Sequence, residues 1–201
     1  MKLLLADDHR LFRESMQAWL EQANIGACIS VAASYDEVMA QLSENHPFNL
    51  IMLDLNMPGM QGVVSVPPIC EQANPAPVLI ISANRNPVTI QTCLTNGASG
   101  YVPKASDGAS IIEAIHALLG GETYVPEDIR EASDIPTFTE KKIKLLMLLA
   151  KGKSNREMAE ELYLSEGSMK QYISKILRIL QVDNRTQASI KAREILGIGG
   201  S

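Results

Sequence analysis

Aromatic residues are scarce in this chain of 201 residues. Three Phe, one Trp and five Tyr make up 4%, so any core is aliphatic. Cysteine is scarce too. Cys28, Cys70 and Cys93 are odd in number and widely spaced, without CxxC or Cys/His ligand spacing. That argues against a disulfide framework or a zinc site and predicts three reduced, partly buried thiols in a cytoplasmic protein. Long apolar runs are missing as well. Asp7 and Asp8 cut the first one after Ala6, so no signal peptide is expected. No stretch approaches the ~20 apolar residues that span a bilayer, so no membrane partner is expected either. Positive charge is in deficit, 18 Lys and Arg against 23 Asp and Glu, a net of −5. Taken as an average, that argues against nucleic acid as a partner. With 46% hydrophobic residues, the chain has enough apolar surface to exclude disorder.

The average hides a split. Residues 1–125 hold 5 Lys and Arg against 12 Asp and Glu, a net of −7. Residues 137–201 hold 12 against 7, a net of +5. Between them, Pro126 to Pro136 is acidic and without clear periodicity, which reads as a linker. Such asymmetry predicts two domains with different partners: 1–121 and 137–201, joined by 122–136.

The first domain alternates strand and helix signals. Leu3–Ala6, Cys28–Ala33, Leu50–Leu53, Val78–Ile81 and Gly100–Val102 are apolar or β-branched runs, as expected of strands buried on both faces. Helical patterns lie near 10–23, 35–45, 87–97 and 107–119, with Ser34 and Asp107 as N-caps and Pro87 in a first turn. Pro67 and Pro68 fall inside what should be the third helix, which must be short, shifted or broken. The predicted fold is a doubly wound α/β domain with a five-stranded parallel sheet. The second domain shows no strand signal. Helices are expected near 139–150, 155–162, 166–180 and 185–196, with Thr139, Ser154 and Ser165 capping the first three.

Ligands of parallel α/β sheets bind beyond the carboxyl ends of the strands. Asp7 and Asp8 follow the first strand, Asp54 the third, Ser82 ends the fourth and Lys104 follows the fifth. Each residue alone reads as a cap or a surface charge. Together they converge. Three carboxylates repel and call for a cation, and hard oxygen ligands suit Mg²⁺. A carboxylate beside such a metal is a nucleophile toward phosphorus, and the loop after Asp54 can offer the Asn56 carbonyl.

This set resembles the receiver domain of bacterial response regulators. The resemblance runs through Ala6-Asp7-Asp8-His9, Leu53-Asp54-Leu55-Asn56-Met57-Pro58-Gly59-Met60, Ile81-Ser82-Ala83 and Gly97-Ala98-Ser99-Gly100-Tyr101-Val102-Pro103-Lys104. It implies a CheY-like fold over 1–121 in which Asp54 accepts phosphate from a histidine kinase. Asp7, Asp8, Asp54 and the Asn56 carbonyl would hold Mg²⁺, and Ser82 and Lys104 would engage the phosphoryl group. Tyr101 matches the aromatic that swings inward when the hydroxyl residue moves. His9 matches the usual residue after the acid pair and receives no catalytic role. Ala105 stands where many receivers have proline.

In 150–180 the pattern is helix, turn, helix. Met169, Ile173, Ile176, Leu177 and Leu180 form one apolar face, while Lys170, Ser174 and Arg178 form another stripe flanked by Gln171 and Lys175. A helix with one buried and one basic face suits a DNA major groove. The segment from Phe138-Thr139-Glu140 through Lys151–Ala159 to Val182-Asp183-Asn184-Arg185-Thr186-Gln187-Ala188 resembles LuxR-type helix-turn-helix domains. That resemblance puts Lys170, Gln171 and Ser174 at bases or groove, Lys175 and Arg178 at phosphates, and the last helix at a dimer contact. Lys142 and Lys144 stand where glutamates are common, which bears on an ion pair with Arg185. Gln181 stands where glycine is common. Both halves together resemble the NarL/FixJ class: a phosphorylation-controlled, DNA-binding regulator of a two-component system, paired as a homodimer when active. The rival readings are a Mg²⁺-dependent phosphotransferase or phosphatase using Asp54, and a regulator indifferent to phosphorylation.

Overall fold

The computed structural model of the chain describes residues 1–23, 25–44, 47–130 and 135–198. Residues 131–134 of the expected linker and 199–201 of the expected second domain lie outside that range. Five strands, Lys2–Ala6 (β1), Cys28–Ala32 (β2), Leu50–Leu53 (β3), Val78–Ser82 (β4) and Gly100–Pro103 (β5), form one parallel sheet in the order β2-β1-β3-β4-β5. The order reverses beside β1, and the crevice of a doubly wound sheet lies there.

Helices cover both faces. Arg10–Gln22 (α1) and Gly108–Leu119 (α5) lie on one, and Tyr35–Leu42 (α2), Val66–Ala73 (α3) and Pro87–Thr95 (α4) on the other. Strand side chains alternate between faces. Leu3, Leu5, Leu50, Met52, Leu79 and Ile81 pack with Met16 and Leu20 of α1 and Ile111 and Ile115 of α5. Leu4, Ala6, Ile51, Leu53, Val78 and Ile80 pack with Val38, Val66, Ile69 and Ile90. Each fully buried aliphatic chain contributes about 1.5–3 kcal/mol, which explains how a domain this poor in aromatics holds together.

The strand with partial cover departs from expectation. β2 is an edge strand, with Cys28 exposed and Val31 43% exposed. Edge position alone does not expose a strand: β5 at the other edge is buried throughout, with Tyr124 bridging to Gly100 outside it, whereas no strand or bridge among the described residues pairs with the outer side of β2. Burial pushes the Cys70 thiol up to about 12 and the Cys93 thiol higher still, so both are protonated and inert.

Pro67 and Pro68 begin a helix rather than break one. A 3-10 turn, Gly62–Ser65, takes the expected first turn, and α3 starts at Val66 with proline in its opening turn. The N–H groups missing there have no acceptor in the helix. Ser34 accepts from Glu37 N at 3.3 Å and Asp107 from Ser110 N at 2.8 Å, as the sequence predicts. The described part of the segment expected as linker holds two structural features. Tyr124 bridges to Gly100 at the sheet edge, and Glu127–Arg130 forms a short helix, α6.

Four helices follow: Glu140–Ala150 (α7), Asn155–Glu161 (α8), Glu166–Leu180 (α9) and Arg185–Leu196 (α10). Ser154 caps α8 in a complete capping box with Glu157, and Ser165 caps α9. Thr139 stands at the N-cap of α7, but its side chain makes no capping bond. α7 is buried along Leu145–Ala150, because it lies between α10 and the 3-10 turn of the first domain. One apolar cluster therefore runs across both halves, from Val63, Val66 and Ile69 to Phe138, Ile143, Leu146 and Leu196. Among the described residues, no helix is long and apolar enough to cross a membrane.

Candidate functional site

Strand register brings the site together. Ala6 pairs with Leu53 and Ser82 with Pro103, so the next residues, Asp7, Asp54 and Lys104, leave the sheet at one end. The ladder holds them as they leave. Asp54 N donates to Ala6 O at 2.9 Å, Asp7 N to Ala32 O at 3.0 Å and Lys104 N to Ser82 O at 2.9 Å. Asp7 and Asp54 are 1% and 2% exposed, while Asp8 stands at the rim.

Lys104 Nζ donates to Asp54 Oδ2 at 2.9 Å. It also lies 2.5 Å from Asp7 Oδ2, a distance that makes an ion pair without the angles of a hydrogen bond. Asp54 Oδ1 is buried and has no hydrogen-bond partner. Burial raises the Asp54 carboxyl above its ordinary value. Lys104 pulls it down, Asp7 pushes it up again, and the Asn56 N–H pulls it down a little. Burial also works against the Lys104 ammonium, but its two carboxylate partners outweigh that and hold its pKa above the ordinary lysine value. Lys104, with Arg13 at the Asp7 carbonyl, thus faces two buried acids and a third at the rim, three negative charges against two positive ones, so negative charge is left over.

Ligand atoms of Asp7, Asp8, His9 and Asp54 all lie within 4.8 Å of one another. A buried, unpartnered carboxylate oxygen in an oxygen-rich cluster fits a hard divalent cation such as Mg²⁺. His9, given no role from the sequence, lies on the acid pair: its Nδ1 is 2.8 Å from Asp8 Oδ1 and 3.2 Å from Asp7 Oδ1.

Ser82 and Tyr101 are both fully buried. They meet at one residue that the sequence did not single out. Asn84 N donates to Ser82 Oγ at 3.3 Å, and Tyr101 Oη donates to Asn84 O at 2.6 Å. Nothing in the spacing of Asn84 marks it. Arg13, also missed, donates to the Asp7 carbonyl.

In the second domain, Met169, Ile173, Ile176 and Leu180 are buried along α9. Lys170, Gln171, Ser174, Lys175 and Arg178 are all exposed and line one shallow depression. The Ser174 hydroxyl donates to Lys170 O at 3.0 Å, so its proton is used within the helix and its oxygen is left to accept. Arg185 pairs with no acid of α7. It donates to Asn155 Oδ1 at 2.8 Å and to Lys153 O, tying the start of α10 to the first residue of α8 and the loop before it, while Lys144 pairs with Glu140 on its own helix.

Two family models match the chain. "Response regulator receiver domain" covers residues 3–116, and "Bacterial regulatory proteins, luxR family" covers 136–192. The chain belongs to the response regulators. Within them it is a two-component, DNA-binding transcriptional regulator, and the family is one of transcription regulators rather than of enzymes. The regulator is 33% identical to the glycerol metabolism activator of Pseudomonas putida over 96% of each chain. It is 28% identical to the transcriptional regulatory protein LiaR of Bacillus subtilis, again over 96% of each. Its fold matches RcsB of Salmonella enterica serovar Typhimurium with a TM-score of 0.65 and 21% identity, covering 97% of this chain and 99% of that one.

Proposed function

We propose that this regulator is switched by phosphorylation of Asp54. The carboxylate oxygen attacks the phosphorus of a kinase phosphohistidine, the P–N bond breaks, and an acyl phosphate forms while the histidine leaves. The buried Asp54, with one oxygen on Lys104 and the other unpartnered, carries this reading. Asp7, Asp8, Asp54 and the Asn56 carbonyl would hold Mg²⁺, which supplies charge neutralisation at the phosphoryl oxygens. Lys104 and Ser82 engage those oxygens, and Ser82 and Tyr101 shift together.

The regulator works in the cytoplasm with a histidine kinase as its phosphodonor. Residues 1–121 act as receiver, 122–136 as connector and 137–201 as DNA-binding domain. Two copies pair when phosphorylated and read symmetric half-sites in double-stranded DNA. On each, Lys170, Gln171 and Ser174 meet bases or groove, and Lys175 and Arg178 meet phosphates. The exposure of all five beside the buried stripe of α9 supports this assignment.

Acetyl phosphate with Mg²⁺ tests it. Intact-mass measurement is expected to show one phosphoryl group, absent in Asp54→Asn and after chelation. A phosphoryl group that persists in Asp54→Asn overturns the assignment.

A further inference from the structure

The two halves meet through polar contacts as well as apolar ones, and those contacts gather at one end of α10. Thr89 Oγ1, on the first turn of α4, donates to Ile195 O at 2.9 Å. Asn84 Nδ2 donates to Glu194 O at 3.2 Å. These carbonyls belong to the last turn of α10, where carbonyls lack the usual helical partner: Glu194 O accepts from the capping Gly197 N at 3.2 Å and takes Asn84 as a further donor, while Ile195 O takes Thr89. The first domain therefore caps the last helix of the second. Backbone meets backbone beside this cap. Gly62, at φ +56°, lies so close that a Cβ there would overlap the Leu196 carbonyl. At its other end, α4 is tied to the second domain by Asn96 Nδ2, which donates to Phe138 O at 2.7 Å.

Asn84 also touches both buried switch residues. Its N–H reaches Ser82 Oγ and its carbonyl accepts from Tyr101 Oη, while its side chain reaches Glu194. We propose that Asn84 is the coupling residue between the phosphorylation pocket and a latch on the carboxyl end of α10, and that the latch holds the DNA-binding domain without covering its DNA-reading face. When Ser82 turns toward a phosphoryl oxygen, Asn84 N loses its acceptor. The loop shifts, Glu194 O loses the Asn84 donor and keeps only that of Gly197 N, and Ile195 O loses the donor from Thr89. The five polar residues of α9 are exposed while the latch is shut, so control acts on how two DNA-binding domains are placed rather than on masking α9.

This proposal rests on phosphorylation at Asp54, and the test separates the two. Hydrogen–deuterium exchange is measured at residues 193–198 of the full chain, with and without Mg²⁺ and beryllofluoride, for the native sequence, Asn84→Ala and the near-isosteric Thr89→Val. Mg²⁺ and beryllofluoride are expected to speed exchange there in the native chain. Each variant alone is expected to exchange about tenfold faster without them, the effect of one or two lost hydrogen bonds. In Asn84→Ala the two states are expected to converge, although phosphorylation by acetyl phosphate is retained. A structural role alone would loosen α10 without erasing the difference between states. If both variants exchange like the native chain while the native chain still responds, the latch is overturned and the phosphorylation reading stands. If the native chain neither responds nor takes up a phosphoryl group, the phosphorylation reading falls and the coupling with it.

Discussion

Asp54 is held at a cost. It is buried, lies beside Asp7, shares Lys104 with it, and its carboxyl is raised by that burial. Removing its charge relieves desolvation and repulsion, and Lys104 still has Asp7. Asp54→Asn is therefore expected to stabilise the metal-free chain by about 1 kcal/mol, read as a higher urea midpoint. A drop in the midpoint would show that the Lys104 ion pair outweighs both effects. Mg²⁺ is expected to raise the stability of the native chain by about 2.7 kcal/mol at a hundredfold excess over its dissociation constant, and Asp54→Asn should lose most of that gain in the same titration. Gln181 is strained in another way. It closes α9 in the left-handed region, at φ +54°, where side chains other than glycine and asparagine are disfavoured. Gln181→Gly is expected to stabilise by about 0.5–1 kcal/mol, because relief of strain exceeds the added unfolded-state entropy. The sequence marked Gln181 as a departure from the usual glycine. The φ angle supplies the reason.

Helix starts were more legible than helix surroundings. Ser34, Asp107, Ser154 and Ser165 all cap where the sequence placed them, because a cap is a local event within four residues. The Ser154 hydroxyl and the Glu157 carboxylate satisfy each other's backbone N–H groups at 3.3 and 2.8 Å. Ser154→Ala is expected to cost about 1 kcal/mol, measured by thermal unfolding. An unchanged melting temperature would mean water replaces the cap. The Glu157 carboxyl is held below its ordinary value chiefly by the Ser154 N–H. Its contribution is present above the ordinary carboxylate range and fades as pH falls through the lowered value, so the box weakens only in acid. α3 and β2 were less legible. Two prolines left the third helix open as short, shifted or broken, and only the structure decides for a short helix that starts late, at Val66; an edge strand has the same apolar character as a central one.

Across the whole molecule, the apolar cluster passes from the first domain to the second through Val63, Phe138, Ile143 and Leu196. Phe138 is fully buried and its carbonyl is held by Asn96. Shared packing of this kind couples the domains. Calorimetry of the unphosphorylated chain is expected to give one transition. Phe138→Ala, costing about 3–5 kcal/mol, should split it into two. Two transitions in the native chain would show that the domains unfold independently.

Local chemistry made much of this regulator readable. Alternating strand and helix signals, acids at strand ends, caps and the charge split all lie within short windows, and they sufficed for the parallel sheet, the acidic crevice and the helix with one polar face. The net charge of −5 misled only as an average. What the tertiary structure decided lies between segments far apart in the chain: that Lys104 bridges both buried acids, that Asn84 joins Ser82 and Tyr101 to Glu194, and that Gly62 meets Leu196 backbone to backbone. An asparagine or a glycine carries no periodic or compositional signal of a partner more than a hundred residues away. Only packing two domains together gives such a residue its role.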